Sequence, residues 1–301
     1  MEVAVAGAGL MGCGIATRLA ASGLAVTLYD SHAGSLDKAA SRCAEVFEEL
    51  VDGGAMTEGA ASVALGRIAL TPRLTGLQQA TMVIEAVVEV LDVKHRLYAL
   101  LEDTLAPHAV IASSTSGFTP DSLAGGMRHP ERFLVAHFWN PPHLIPLVEV
   151  LACRQTRPSA VASTVSLLAQ AGCEPVVLHK AVPGFIGNRF QFAVLREALH
   201  MLREGVADAA TIDQVMKHSV GRRYRHLGPL EGADLGGLDT FLSIARHLMP
   251  QLAKSEDVLA LLDEHVRHGR TGRASGEGFY TWNDEKLVWL RQVRLAMLRQ
   301  R

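Results

Sequence analysis

Residues 3–16 read Val3-Ala4-Val5-Ala6-Gly7-Ala8-Gly9-Leu10-Met11-Gly12-Cys13-Gly14-Ile15-Ala16. An apolar, strand-like run enters a glycine-rich turn and leaves it as a helical pattern, and Gly7, Gly9 and Gly12 keep the GxGxxG spacing. Each glycine has its own reason: Gly7 for a tight turn, Gly9 so that backbone can approach a pyrophosphate, Gly12 so that the helix packs close to the strand. Leu10 and Met11 open that helix, where unpaired N–H groups and the dipole favour an anion. Asp30 ends the next strand-like run, placed to accept from both ribose hydroxyls and to repel a 2′-phosphate, while Ser31 and His32 bring no permanent cation. The stretch predicts a dinucleotide site that prefers NAD to NADP. A glycine-rich turn that binds nothing is the plain alternative, and the surrounding strand, helix and acid argue against it.

Outward from this turn, strand-like runs recur at 25–29, 67–71, 82–86, 110–113, 132–138, 144–151 and 174–178, with helical patterns at 35–51, 91–105, 120–126 and 160–171. Strands alternating with helices mean a mostly parallel sheet covered on both faces, a Rossmann-type doubly wound α/β fold. At Val182-Pro183-Gly184 the pattern changes. Helical periodicity alone follows, at 186–204, 208–219, 237–252, 255–268 and 285–300, with Pro and Gly punctuating the ends, as at Gly228-Pro229 and Gly272. The spacing predicts an NAD-binding domain at 1–182 and an all-helical substrate and dimerisation domain at 183–301.

The bulk numbers agree with an enzyme. Of 301 residues, 49% are hydrophobic and 20% charged, too apolar for disorder. A formal net charge of -2 gives no bulk attraction to nucleic acid or an anionic membrane. Cys13, Cys43, Cys153 and Cys173 show neither a zinc spacing nor a disulfide framework and read as reduced thiols of a cytoplasmic protein. No targeting signal and no membrane-length apolar run stands out.

His137 lies near the end of an apolar strand, ahead of Asn140-Pro141-Pro142, where ligands of a doubly wound sheet bind. Glu149 stands in the next run among apolar neighbours, and a buried carboxylate needs a partner. A neutral imidazole can take the proton of a hydroxyl as hydride leaves the same carbon, and a carboxylate can fix its tautomer and offset the imidazolium charge. The plainer reading is a core histidine beside an edge glutamate.

Seven separated segments, VAVAGAGLMGCGIA, VIEAVVEVLDVKHRLYALLE, IASSTSG, AHFWNPP…PLVEV, VPGFIGNRF, GPLEGADLGGLDT and GEGFY, resemble the 3-hydroxyacyl-CoA dehydrogenase family in the same order. The resemblance implies that His137 is the acid/base, oriented by Glu149. It implies that Ser116 and Asn188 hydrogen-bond the substrate oxygen, that Glu89 and Lys94 contact the cofactor, and that Asn140 lies beside the nicotinamide. It further implies eight strands, the last two not parallel to the first six, and a homodimer formed through the helical domain. Ser116 and Asn188 suit an oxyanion site as neutral donors, and Asn188 follows the domain junction. Plainer roles exist for each: Ser116 a turn or helix-cap residue, Asn188 a polar residue at a helix start, Glu89 the cap of the helix at 91, Lys94 a solvated helix-face lysine.

Some segments depart from the family pattern. SNTSS is Ser113-Ser114-Thr115-Ser116-Gly117 here, and HFFNPVP is His137-Phe138-Trp139-Asn140-Pro141-Pro142-His143. The helical arm after Asp30, lysine-bearing in acyl-CoA members, carries Glu45, Glu48, Glu49 and Asp52 over 43–54, a poor partner for a polyphosphate. Relatives acting on free acids, such as the gulonate, carnitine and pyridine-carboxylate dehydrogenases, are similar at the NPPH segment. A free carboxylate needs a cation, for which Arg222, Arg223 and Arg225 are candidates, a basic helix end being the alternative. The sequence therefore leads to a 3-hydroxyacyl-CoA substrate first and a non-CoA hydroxy acid second. A non-catalytic NAD-binding or structural protein comes last.

Overall fold

The computed structural model describes residues 2–299. In chain order the α/β part contains β1 (Glu2–Ala6), α1 (Leu10–Ala21), β2 (Ala25–Tyr29), α2 (Ala33–Asp52), α3 (Glu58–Leu65), β3 (Ile68–Thr71), β4 (Met82–Glu85), α4 (Leu91–Thr104), β5 (Val110–Ser113), α5 (Pro120–Ala124), β6 (Phe133–Phe138), β7 (Leu147–Ala152), α6 (Pro158–Gln170) and β8 (Glu174–Leu178). They form one eight-stranded sheet in the order β3-β2-β1-β4-β5-β6-β7-β8. β1 to β6 run parallel, β7 is antiparallel to β6, and β8 is parallel to β7. This is the expected Rossmann-type sheet, with its last two strands reversed.

Every residue of β4, β5 and β6 is buried, which explains their unbroken apolar runs, since strands covered on both faces have no polar side. The chain reverses its winding at β1, between β2 and β4, and there the carboxyl ends of the strands leave a crevice for a ligand. α2 buries Leu36, Ala39, Cys43, Phe47 and Leu50, a stripe at helical spacing that packs it against α1 and α3. All four cysteines are buried. No helix is long and apolar enough to cross a membrane.

The chain separates into two compact units, one running to Phe185 and resuming at Leu290, the other Ile186–Trp289. The second contains α7 (Gly187–Arg203), α8 (Ala209–His218), α9 (Val220–Tyr224), α10 (Pro229–Gly236), α11 (Leu238–Leu248), α12 (Leu259–Arg267) and the start of α13 (Asp284–Leu298). Three helices escape the sequence reading. α3 is short and capped by Thr57, which accepts from Ala60 N–H. α9 is a five-residue helix. Gly228-Pro229, read as a helix end, is the start of α10: proline at the first helical position loses no hydrogen bond, and Glu231 reaches back to the Gly228 N–H at 2.7 Å.

The last stretch of α13 also departs from the expected division at 182/183, because from Leu290 it belongs to the first unit. Leu298 is buried with the sheet-side core and Leu295 packs beside it. The approach is close, since a Cβ on Gly53 would lie 2.9 Å from Leu298 Cβ. Arg294 forks onto Glu49 of α2, Nε to Oε1 at 2.5 Å and Nη2 to Oε2 at 2.6 Å, and Arg291 pairs with Asp52.

Burial opposes the Glu49 charge, yet hydrogen bonds from Arg294 and His143 outweigh it and hold the carboxyl at about 2, below the ordinary 4.5. A folded-state value lowered in this way stabilises the fold above the unfolded value, and the contribution is lost as pH falls through the folded one. Thermal melts of the wild type and Glu49→Gln should thus differ fully above pH 4.5 and converge towards about pH 2. A gap that stays constant across that window would remove this role from Glu49.

Candidate active site

His137 is the fifth residue of β6, and Glu149 lies directly opposite it on β7 in the antiparallel register. His137 Nδ1 is 2.9 Å from Glu149 Oε2, both side chains being almost wholly buried. An ionised carboxylate only accepts hydrogen bonds, so Nδ1 is the donor of this bond, which in a neutral ring leaves the lone pair on Nε2. The edge of the imidazole meets the Phe185 ring at 5.3 Å, and Trp139 lies 5.9 Å away. Phe185 adopts φ +51, a left-handed conformation costly for a bulky residue, directly after Gly184. Asn140 is exposed in the loop that joins the two strands.

A second buried carboxylate, Glu85, ends β4. It accepts from Lys94 Nζ at 2.6 Å, Tyr98 OH at 2.6 Å, Ser113 Oγ at 2.7 Å and Val87 N–H at 2.8 Å. Burial and the neighbouring Glu85 charge push the Tyr98 hydroxyl far up, so it remains a donor. Lys94, also buried, reaches Glu89 Oε2 at 3.1 Å. Glu89 Oε1 then accepts from Thr115 Oγ1, Ser116 N–H at 3.1 Å and Gly117 N–H at 3.2 Å. Burial works against the Glu89 charge, but the Thr115 and Lys94 bonds prevail and hold its carboxyl below the usual range. Two plainer roles fall away and the third, for Ser116, narrows to a turn residue. Lys94 is 1% exposed and not solvated. The cap position of α4 is Val90, and Glu89 holds the 115–117 turn instead. Thr119, not Ser116, caps α5. Glu85 was missed in the sequence, although the signal was the one that revealed Glu149, a lone acid in an apolar strand.

The glycine-rich turn fits a dinucleotide. Gly7 has φ +110, and a Cβ there would strike the Ala86 carbonyl after β4. A Cβ on Gly12 would run into the Gly7 carbonyl oxygen, whereas one on Gly9 would meet nothing within 4 Å. The turn thus leaves open space above Gly9, at the start of a helix whose first turn has no acid and no side-chain cap. Leu10 is exposed and Met11 half-buried. Asp30 accepts from Ala8 N–H at 2.8 Å through Oδ2 and from His32 N–H at 2.9 Å through Oδ1, which fixes its carboxylate plane. Arg42 of α2 donates to the Ala8 carbonyl at 3.3 Å, a cation at the turn that the spacing did not assign. Among the described residues no group of three or more His, Cys, Asp or Glu could hold a metal ion.

In the helical unit, Asn188 is the second residue of α7 and is half-buried. Arg222 and Arg223 lie in the last turn of α9 and Arg225 follows it, all three exposed. That position suits the basic helix end as well as a ligand site.

Residues 2–182 match the family described as 3-hydroxyacyl-CoA dehydrogenase, NAD binding domain, and residues 184–282 match 3-hydroxyacyl-CoA dehydrogenase, C-terminal domain. The 5-formyl-3-hydroxy-2-methylpyridine 4-carboxylate 5-dehydrogenase of Mesorhizobium japonicum is 33% identical over 298 residues, 99% of this chain and 96% of that protein. The 3-hydroxybutyryl-CoA dehydrogenase of Bradyrhizobium diazoefficiens is 36% identical over 288 residues, 95% of this chain and 97% of that protein. A crystal structure of a pyridine-carboxylate 5-dehydrogenase of the first kind, described as an NAD+ dependent dismutase, gives a TM-score of 0.90 at 32% identity, covering 99% of this chain and 96% of that one.

The two glycines separate binding from folding. Gly9→Ala should keep the melting temperature and weaken NADH binding, because its Cβ fills only the open space. Gly12→Ala should cost about 1–3 kcal/mol of stability through overpacking. Calorimetry with NADH titration checks both, and a Gly9→Ala protein of unchanged affinity would refute the cradle.

Proposed function

Because the chain belongs to the 3-hydroxyacyl-CoA dehydrogenase family and is an NAD-dependent oxidoreductase of that kind, we propose that it interconverts a 3-hydroxyacyl-type alcohol and its 3-keto form with His137 as acid/base. The observation that supports this most is the buried 2.9 Å His137–Glu149 bond at the ligand end of the sheet. NAD would be held by Gly7, Gly9, Leu10, Met11, Gly12 and Asp30, with Glu89 and Lys94 as further contacts and Asn140 beside the nicotinamide, and when bound it would supply the hydride acceptor. In oxidation, His137 Nε2 takes the hydroxyl proton while Nδ1–H stays on Glu149, whose charge offsets the imidazolium. Ser116 and Asn188 donate to the oxygen as it gains alkoxide character. In reduction the same proton returns to that oxygen.

Two substrate readings follow. The family default is a short-chain 3-hydroxyacyl-CoA. The second, a hydroxylated acid without CoA, has specific support. On α2, Glu45 and Glu48 are exposed acids, and Glu49 and Asp52 are occupied by Arg294 and Arg291. Over 43–54 the arm thus offers no cation row to a polyphosphate, Lys38 and Arg42 lying toward the helix start. The similarity to the pyridine-carboxylate dehydrogenase also runs through the C-terminal stretch that supplies those arginines. For such a substrate, Arg222, Arg223 and Arg225 are the proposed carboxylate ligands. The chain works as a homodimer in the cytoplasm on this reading, and the exposed Phe190, Phe192 and Val194 of α7 suit a subunit interface.

Acetoacetyl-CoA, gulonate, carnitine and a formyl-pyridine carboxylate, each followed through NADH absorbance, separate the readings. His137→Ala should lower kcat by about 100- to 10,000-fold with NADH affinity unchanged. Wild-type turnover in that variant removes the mechanism. With a free-acid substrate, at least one of Arg222→Ala, Arg223→Ala and Arg225→Ala should raise KM by roughly tenfold. Three unchanged KM values exclude the arginines as carboxylate ligands.

A further inference from the structure

The loop 139–146 joins β6 to β7 just beyond the His137–Glu149 pair, and it carries Asn140. Its front is exposed at Asn140, but its middle is not: His143 and Leu144 are both buried. Helices hold it from behind. Gly14 of α1 gives Pro142 its place, since a Cβ there would lie 2.9 Å from Pro142 Cδ. Arg18 of α1 donates to the Pro142 carbonyl at 3.3 Å. His143 Nε2 lies 2.9 Å from Glu49 Oε2 of α2, and Arg294 of α13 forks onto both oxygens of the same carboxylate, its Nη2 also lying 3.3 Å from His143 Nε2.

The Glu49 carboxylate is therefore shared by the loop and the C-terminal helix. A bidentate guanidinium fixes the plane of the carboxylate, and that plane sets where an imidazole N–H can donate. Glu49 alone, on a flexible three-carbon stem, would not define the position of His143. Arg294 lies beyond both family matches, the second of which ends at residue 282. Glu49 lies on the first-unit arm and His143 in the loop, so the tie is complete within one unit.

We propose that Arg294, through Glu49 and His143, is a positioning residue for the 139–146 loop and hence for Asn140 and the His137–Glu149 pair. None of the three touches the reacting atoms; they set where the loop lies. The kinetic part rests on His137 being the acid/base, whereas the cofactor part does not.

The test is a fluorescence titration with NADH, beside steady-state kinetics, of Arg294→Ala, Arg294→Lys, Glu49→Gln and Arg294→Ala/Glu49→Gln, all well below their melting temperatures. Arg294→Ala should raise the NADH Kd and the KM for NAD by about five- to tenfold, a usual size for coupled contacts. kcat should fall less than KM rises. Glu49→Gln should behave alike, the double variant should be no worse than the weaker single, and Arg294→Lys should recover part of the affinity. A purely structural role predicts lower melting temperatures with wild-type Kd and KM, and that result overturns the proposal, as do effects that simply add in the double variant. The titration needs no substrate. A wild-type chain that oxidises none of the alcohols offered would overturn the reading of function, while the NADH affinities would still decide the tie.

Discussion

A carboxylate cannot remain charged in an apolar sheet without a donor beside it, and this constraint organises the first unit. Glu149 is answered by His137 across a strand pair, Glu85 by Lys94, Tyr98 and Ser113 at the tip of β4, and Glu49 by Arg294 and His143 behind the loop. An unpaired charge in any of these places would cost several kcal/mol, so each acid dictates the position of its partners. Some of those partners sit on or beside segments that carry the proposed chemistry: His143 on the β6–β7 loop, Ser113 just ahead of the 115–117 turn, and His137 on its own strand. Charge burial serves here as a ruler, at the expense of stability that an apolar core would have supplied.

Topology makes the first of these pairings possible. β6 ends at the edge where ligands of a doubly wound sheet bind, and a seventh parallel strand would have to start at the opposite edge after a crossover. Because β7 runs antiparallel, an eight-residue loop suffices, and Glu149 returns opposite His137 in register. The reversal also exposes a weakness. A hairpin with an eight-residue connection is less fixed by its turn than a two-residue hairpin is. The contacts from α1, α2 and α13 compensate for that freedom.

Most of the fold was legible because its signals are local. Strand periodicity, the glycine turn and Asp30 are each contained in a few residues, and the His137–Glu149 pair could be inferred from two isolated polar residues in apolar runs. Glu85 carried the same signal in VIEA and was passed over, since no histidine stood nearby to suggest a partner. Lys94 was harder. Its sequence setting on α4 resembles an exposed helix face, and only the two carboxylates brought by β4 and residue 89 make its burial tolerable. Gly228-Pro229 misled because proline marks both the end and the first turn of helices, and the Glu231 back-bond that decides between them is visible only in three dimensions. The return of residues 290–298 to the first unit left no local trace at all, since its partners Glu49 and Asp52 lie more than 200 residues away.

That return changes the meaning of the acidic arm. Taken from sequence, Glu45, Glu48, Glu49 and Asp52 make residues 43–54 a poor partner for a polyphosphate, with Lys38 and Arg42 lying toward the helix start. In the folded chain Glu49 and Asp52 are held by arginines, so the repulsive part narrows to Glu45 and Glu48 on the exposed side. Arg294 is not thereby made available to an anion, because a bidentate fork already placed on a carboxylate must be broken before it can bind another. A polyphosphate would have to displace Glu49 from Arg294 and would at the same time release His143 and the loop. Substrate selectivity and loop position are coupled through one carboxylate. A substrate without phosphates leaves that coupling intact, and this is the physical reason to rank the free-acid reading beside the family default.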